Sequence, residues 1–170
     1  MTSATPETTL PFHRRPDWDE YFLGLAELAA GRSTCLRRQV GALLVTGRRV
    51  LATGYNGPPQ NLPHCLETGC LRKKMRIPSG QHHEICRAIH AEQNTILQAA
   101  QYGVAIRRAT LYCTYQPCAI CTKLILNLDI HRLVLRNTYP DELALDLLKQ
   151  AGFARTEKGS PTSFIIWIKL

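Results

Sequence analysis

The sequence predicts an α/β fold, a three-layer α/β/α sandwich built on a mixed five-stranded sheet. Three observations carry this. Two β-branched and apolar runs, Val40 to Val45 and Val50 to Tyr55, are separated only by Thr46-Gly47-Arg48-Arg49, the pattern of an antiparallel hairpin. Helical and strand patterns then alternate to the end of the chain, which implies one sheet with helices on both faces. At 170 residues the chain is long enough for one proper core.

Taken in order, Trp18, Phe22, Leu25, Leu28 and Ala29 recur at helical spacing between Asp17 and Ala30, and Gly31 ends that helix. The hairpin follows. From Asn56 to Gly80 the chain is rich in Pro, Gly, Cys and basic residues and has no period, so it reads as a long loop or insertion. Loops of that length in compact domains are usually functional or pinned, for instance by a metal. A helix is expected from Ile89 to Ala100 with Ile96, Leu97 and Ala100 inward, and a strand from Ala109 to Thr114. Pro117 then opens a helix through Leu128. A strand at Leu133 to Arg136, a helix from Asp141 to Gln150 stopped by Gly152, and a strand at Ser163 to Ile168 complete the pattern. The expected layout is a flexible tail over residues 1–16 and one domain over 17–170, with an insertion at about 56–86.

Composition narrows the function classes. No run of about 18 apolar residues exists, so no membrane partner is expected. The polar, Thr-rich start does not read as a secretory signal, and a cytoplasmic protein is expected. The net charge of +8 is scattered; its densest cluster, Arg72-Lys73-Lys74 with Arg76, is too short to argue for a nucleic-acid groove. Seven cysteines in a reducing compartment suggest metal ligation before disulfides.

Two fragments carry the chemistry: His90-Ala91-Glu92 and Pro117-Cys118-Ala119-Ile120-Cys121. Cys118 and Cys121 are three apart on an expected helix, so both sulfurs face one side. They sit in its first turn, where the helix dipole favours thiolate. Two thiolates and one imidazole make a three-ligand zinc site whose fourth position stays open for water. Glu92, two residues after His90, is placed to move protons beside the metal without ligating it.

These fragments match the H-x-E…P-C-x-x-C signature of zinc nucleobase deaminases. With Ser33-Thr34-Cys35, Val40-Gly41-Ala42, Thr53-Gly54-Tyr55-Asn56-Gly57-Pro58-Pro59 and Cys86-Arg87-Ala88-Ile89 running into His90, the chain resembles the deoxycytidylate (dCMP) deaminase family of the cytidine deaminase-like superfamily. Thr95 departs from that family's usual Ala. The resemblance implies hydrolytic deamination of deoxycytidylate to deoxyuridylate, which feeds thymidylate synthesis. It implies that Asn56 faces the nucleoside and that the Ala91 backbone meets the pyrimidine carbonyl. Tyr139 is a candidate to close over the nucleotide, and Arg37, Arg38 and Arg87 are candidates for the 5′-phosphate. It also implies a hexamer regulated by deoxycytidine and thymidine triphosphates (dCTP, dTTP).

Several family members carry a second, structural zinc. By that resemblance, and by the three-residue spacing of His83 and Cys86, the candidates here are Cys35, Cys65, His83 and Cys86, with Cys70 as a replacement for one of them. Two other functions remain open: a base or tRNA-adenosine deaminase on the same scaffold, and a non-catalytic zinc-stabilised nucleic-acid-binding module. Glu92 argues against the last, because a purely structural site needs no free carboxylate beside its metal.

Overall fold

A computed structural model describes residues 14–159 and 163–170. The tail expected over residues 1–16 lies, apart from 14–16, outside the described residues. Helix α1, Trp18–Ala30, starts with a capping box in which Asp17 and Glu20 satisfy each other's backbone N–H groups. Strands β1, Gly41–Thr46, and β2, Arg49–Tyr55, form the hairpin. Its two-residue turn puts Gly47 and Arg48 both at positive φ, 55° and 65°, which is the primed turn that matches strand twist. The insertion holds two single-turn helices, α2 (Cys65–Thr68) and α3 (Leu71–Lys74), and a 3₁₀ turn at His83–Ile85.

Helix α4 (Ala91–Gln101), strand β3 (Thr110–Tyr115), helix α5 (Ala119–Asn127) and strand β4 (Arg132–Asn137) follow. Helix α6 (Glu142–Gln150) and strands β5 (Phe153–Lys158) and β6 (Phe164–Lys169) complete the chain. The sheet order is β2-β1-β3-β4-β6-β5, with β3 and β4 parallel and the other pairs antiparallel. The expected α/β class and mixed sheet hold, but the sheet has six strands, not five. The added strand, β5, pairs only with β6 at the edge, and most of its residues are exposed. An edge strand that buries one residue, Phe153, offers no apolar alternation to read.

Alternation along the inner strands separates two cores. Leu43, Val45, Tyr112, Val134 and Phe164 face α1 and pack on Phe22, Leu23 and Ala26. Ala42, Leu44, Leu111, Cys113, Leu133, Leu135, Ile165 and Trp167 face the other way, onto Ala91, Ala99, Ile125 and Leu148 of α4, α5 and α6. The first layer is tied down at one polar point. Arg132 of β4 donates to both oxygens of Asp19 at 2.8 and 2.7 Å, and the Tyr112 hydroxyl donates to the same carboxylate at 2.8 Å. Gly41 lets α1 lie on β1: a Cβ there would meet the Ala26 carbonyl oxygen at 2.0 Å. Among the described residues, no helix is long and apolar enough to cross a membrane.

The register of the sheet brings the functional segments together. Ala42 pairs with Cys113, and Gly41 pairs with Tyr55. The start of β1, the end of β2 and the end of β3 therefore meet at one edge of the sheet. Asn56 leaves β2 there, and Gln116-Pro117-Cys118 leave β3.

Candidate active site

Two helix starts face each other at that edge. His90 is the N-cap of α4, and Gln93 accepts from the His90 N–H at 2.9 Å. Cys118 is the N-cap of α5, one residue outside the helical turn that the sequence assigned to it, and Cys121 lies in the first turn. The imidazole Nδ1 of His90 sits 3.4 Å from the sulfur of Cys118 and 3.4 Å from that of Cys121. Zinc bonds of about 2.05 Å to nitrogen and 2.3 Å to sulfur, at a tetrahedral angle, give a nitrogen–sulfur edge of about 3.6 Å. The imidazole thus stands from each sulfur at close to the spacing a shared zinc ion needs.

The electrostatics fit the same ion. Both cysteines are buried, at 4% and 0% exposure. Hydrogen bonding from Cys121, with help from His90, outweighs burial and brings the Cys118 thiol down to about 4. The same hydrogen bond and burial push the Cys121 thiol up. Burial opposes a charge on His90, but the Cys118 sulfur and the Glu92 charge raise it above its ordinary value.

Glu92 is 4% exposed, and its carboxyl lies with His90 Nδ1 or Nε2 and the Cys121 sulfur within 4.8 Å of one another. Burial raises its carboxyl above the usual range, against the lowering influence of His90. The α4 helix dipole supports an anion at this position. Two close approaches fix α4. Gly54 of β2 admits the helix backbone, and the Thr95 hydroxyl donates to the Ala91 carbonyl at 2.8 Å and to that of Ala42 at 3.3 Å.

The cluster opens into a cavity of about 340 Å³ whose lining includes Asn56, Ala91, Glu92, Gln116 and Tyr139. Asn56 is held by backbone: its Oδ1 accepts from Val40 at 2.8 Å and its Nδ2 donates to the Arg38 carbonyl at 2.9 Å. One amide hydrogen and one lone pair of Asn56 remain for a ligand. Arg38 lies between two rings, its guanidinium carbon 4.5 Å from the Tyr115 centroid and 5.0 Å from that of Tyr139. Arg37 also lines the cavity but donates to the Ile77 carbonyl, whereas Arg87 donates to Thr68 and lines a neighbouring cleft.

Cys35, Cys65, Cys70 and Cys86 line the same cavity. Burial raises Cys65, and the charges of Cys35, Cys70 and Cys86 raise it further. Among the described residues, no three of them have ligand atoms within 4.8 Å of one another. His83 stands with the first cluster instead. It shares such a group with His90 and Cys118, its ring is 5.1 Å from that of His90, and its Nε2 is 3.4 Å from the Tyr139 hydroxyl.

Sequence reasoning noted Arg72 only as part of a short basic cluster and gave it no role. The structure buries Arg72 to 7% exposure, where its guanidinium donates to the carbonyls of Pro78 and Gln81 and its Nε has no partner among the described residues. Nothing in a Leu-Arg-Lys-Lys string separates one buried arginine from its solvated neighbours.

Comparison with known proteins agrees with this geometry. The family described as the cytidine and deoxycytidylate deaminase zinc-binding region matches residues 16–137. The deoxycytidylate deaminase of Schizosaccharomyces pombe is 42% identical over 143 residues, 84% of this chain and 44% of that protein. The deoxycytidylate deaminase of Mycobacterium phage D29 is 43% identical over 132 residues, 75% of this chain and 98% of that protein. The dCMP deaminase of cyanophage S-TIM5, solved in complex with dCMP and dUMP, aligns with a TM-score of 0.65 at 29% identity, covering 81% of this chain and 94% of that one. The chain spans under half the length, 44%, of the two yeast relatives it matches. A family match over most of the chain shows that the chain belongs to the cytidine and deoxycytidylate deaminase zinc-binding family.

Proposed function

We propose that this protein hydrolyses the exocyclic amine of deoxycytidylate to give deoxyuridylate and ammonia, using one zinc ion held by His90, Cys118 and Cys121. The observation that carries the reading is the position of His90 Nδ1, equidistant at 3.4 Å from two buried sulfurs, with the buried Glu92 carboxyl beside it and a cavity in front. When bound, zinc supplies a water nucleophile, since it lowers the pKa of that water to roughly 7. Glu92 accepts the proton that the water gives up and delivers one to the departing amine. Buried and fixed at the start of α4, it needs no reorganisation to do so.

Substrate is held by groups around the cavity. Ala91 is the first residue of α4, so its N–H is one that no carbonyl of its own helix can serve, and it is free to meet the pyrimidine carbonyl. The spare donor and acceptor of Asn56 meet the sugar. Arg38, set between Tyr115 and Tyr139, is the best-placed cation for the 5′-phosphate. The substrates named for the relatives support deoxycytidylate over a free base.

The resemblance extends the reading in three ways. A second zinc on Cys35, Cys65, His83 and Cys86, with Cys70 replacing His83 because that ring stands beside His90, would pin the insertion at about 56–86 onto the one domain of 17–170. The enzyme would be a cytoplasmic homohexamer. Its activity would respond to dCTP and dTTP.

Ultraviolet absorbance tests the reaction. Zinc-loaded protein is offered deoxycytidylate, cytidine and a tRNA anticodon stem. Turnover of deoxycytidylate is expected; turnover of the anticodon stem alone would replace this reading with tRNA-adenosine deamination, and turnover of none would leave a zinc-stabilised binding module.

A further inference from the structure

The geometry points to Asp141 as a positioning residue for the metal-binding sulfurs, acting through the start of α5. Cys118 is the N-cap of that helix, yet its side chain makes no capping hydrogen bond because its sulfur faces His90. The opening N–H groups of a helix must find acceptors elsewhere. Asp141, the N-cap of α6, supplies one. Its Oδ2 accepts from the Ala119 N–H at 2.8 Å, while its Oδ1 accepts from the Ala144 N–H of its own helix at 3.0 Å. One carboxylate therefore caps two helices.

The same segment also grips the other side of Cys118. Gln116 donates its backbone N–H to the Asn137 carbonyl at 2.9 Å and its side-chain amide to the Tyr139 carbonyl at 3.2 Å. The Asp141 N–H returns to that Tyr139 carbonyl at 3.0 Å, which joins the two grips. Pro117 between them has no N–H to offer. Cys118 is thus clasped at residue 116 before it and at residue 119 after it by residues 137–141. Asp141 touches neither substrate nor the metal position. Its second oxygen sets where the first turn of α5, and with it both sulfurs, stands against His90.

This inference rests on the zinc reading above, and the test keeps the two apart. Asp141→Ser retains a good cap for α6 but has a single oxygen, so it cannot also hold Ala119. Zinc release from the loaded full-length protein into a chromophoric chelator is compared for wild type, Asp141→Ser, Asp141→Asn and, as a control on the exposed face of α6, Glu142→Ala. Thermal unfolding of each metal-free protein is measured alongside. Loss of outer partners of a metal site typically costs 10–100-fold in affinity. Release from Asp141→Ser and Asp141→Asn should therefore be about 10- to 100-fold faster, with Glu142→Ala like wild type and the metal-free midpoints of all four close together. Wild-type release rates in both Asp141 variants, or faster release fully accounted for by an equal fall in metal-free stability, would overturn the assignment. If Asp141→Ser does not fold, Asp141→Asn, which keeps the shape of the side chain, decides the matter. A wild-type protein that held no zinc would sink the zinc reading itself.

Discussion

Gly54 on β2 and Thr95 on α4 approach so closely that a Cβ on Gly54 would lie 2.4 Å from the Thr95 hydroxyl oxygen and 2.5 Å from its backbone nitrogen. The same atom would lie 2.6 Å from the Ala91 carbonyl oxygen. The start of α4, with His90 and Glu92, is therefore positioned by the absence of a side chain on the neighbouring strand. Gly54→Ala should force the two elements apart, costing about 1–3 kcal/mol of stability. It should also weaken zinc binding, because the shift falls on His90. Thermal denaturation and chelator competition check both effects; a variant with wild-type stability would show that the contact is slack.

Glu92 is assigned the proton transfers and no part in holding the ion. Glu92→Ala should retain its zinc and lose roughly 10²–10⁴-fold in kcat on deoxycytidylate. Metal analysis and the absorbance assay on one preparation suffice. Retained activity would remove Glu92 from the mechanism, and lost zinc would make it a ligand.

How much of this was legible in the chain depends on how local each feature is. The two candidate zinc fragments are short, and each sits at the start of its own helix, so His90, Glu92, Cys118 and Cys121 could be picked out as candidates from sequence. The orientation of α4 was not legible. Ile96, Leu97 and Ala100 are the bulky or apolar choices for an inner face, yet Leu97 is 52% exposed while Ala91, Glu92, Thr95 and Ala99 are buried. A helix that must present a carboxylate to a site and pass close to a glycine buries small and polar residues, the reverse of the usual pattern. Asn56 was legible as a special position, but its bonds to Val40 and Arg38 are long-range and leave no trace in spacing. Asp141 read only as the first residue of a helix; it caps that helix, and its second partner, Ala119, is 22 residues away.

The Asp19 cluster gives the fold a pH dependence independent of the metal. Burial would raise the Asp19 carboxyl, but hydrogen bonds from Arg132 and Tyr112 and the charge of Arg132 outweigh it and hold it below its ordinary value of 3.8. A carboxylate depressed in the folded state stabilises the fold above its unfolded pKa, and that stability is lost as pH falls through the folded value. Asp19→Asn should cost about 1–3 kcal/mol near neutral pH. The gap between the thermal midpoints of variant and wild type should shrink as the pH falls below about 4. A gap that stays constant from pH 7 to 3 would mean that the pair contributes packing and no charge.

Zinc content separates one site from two. If Cys35, Cys65, Cys70 and Cys86 close on an ion, the purified protein carries about two zinc per chain, and Cys65→Ser carries about one. A wild-type value near one would dismiss the second site and leave four thiols that bind nothing.

The central claim is a single zinc ion on one imidazole and two sulfurs, with Glu92 beside it and no fourth protein ligand. Anomalous diffraction at the zinc edge tests it most directly. The account predicts an ion about 2.0–2.1 Å from His90 Nδ1 and about 2.3 Å from the sulfurs of Cys118 and Cys121, with the Glu92 oxygens outside bonding distance. No ion at this position, or one whose last position is filled by Glu92 or His83, would contradict it.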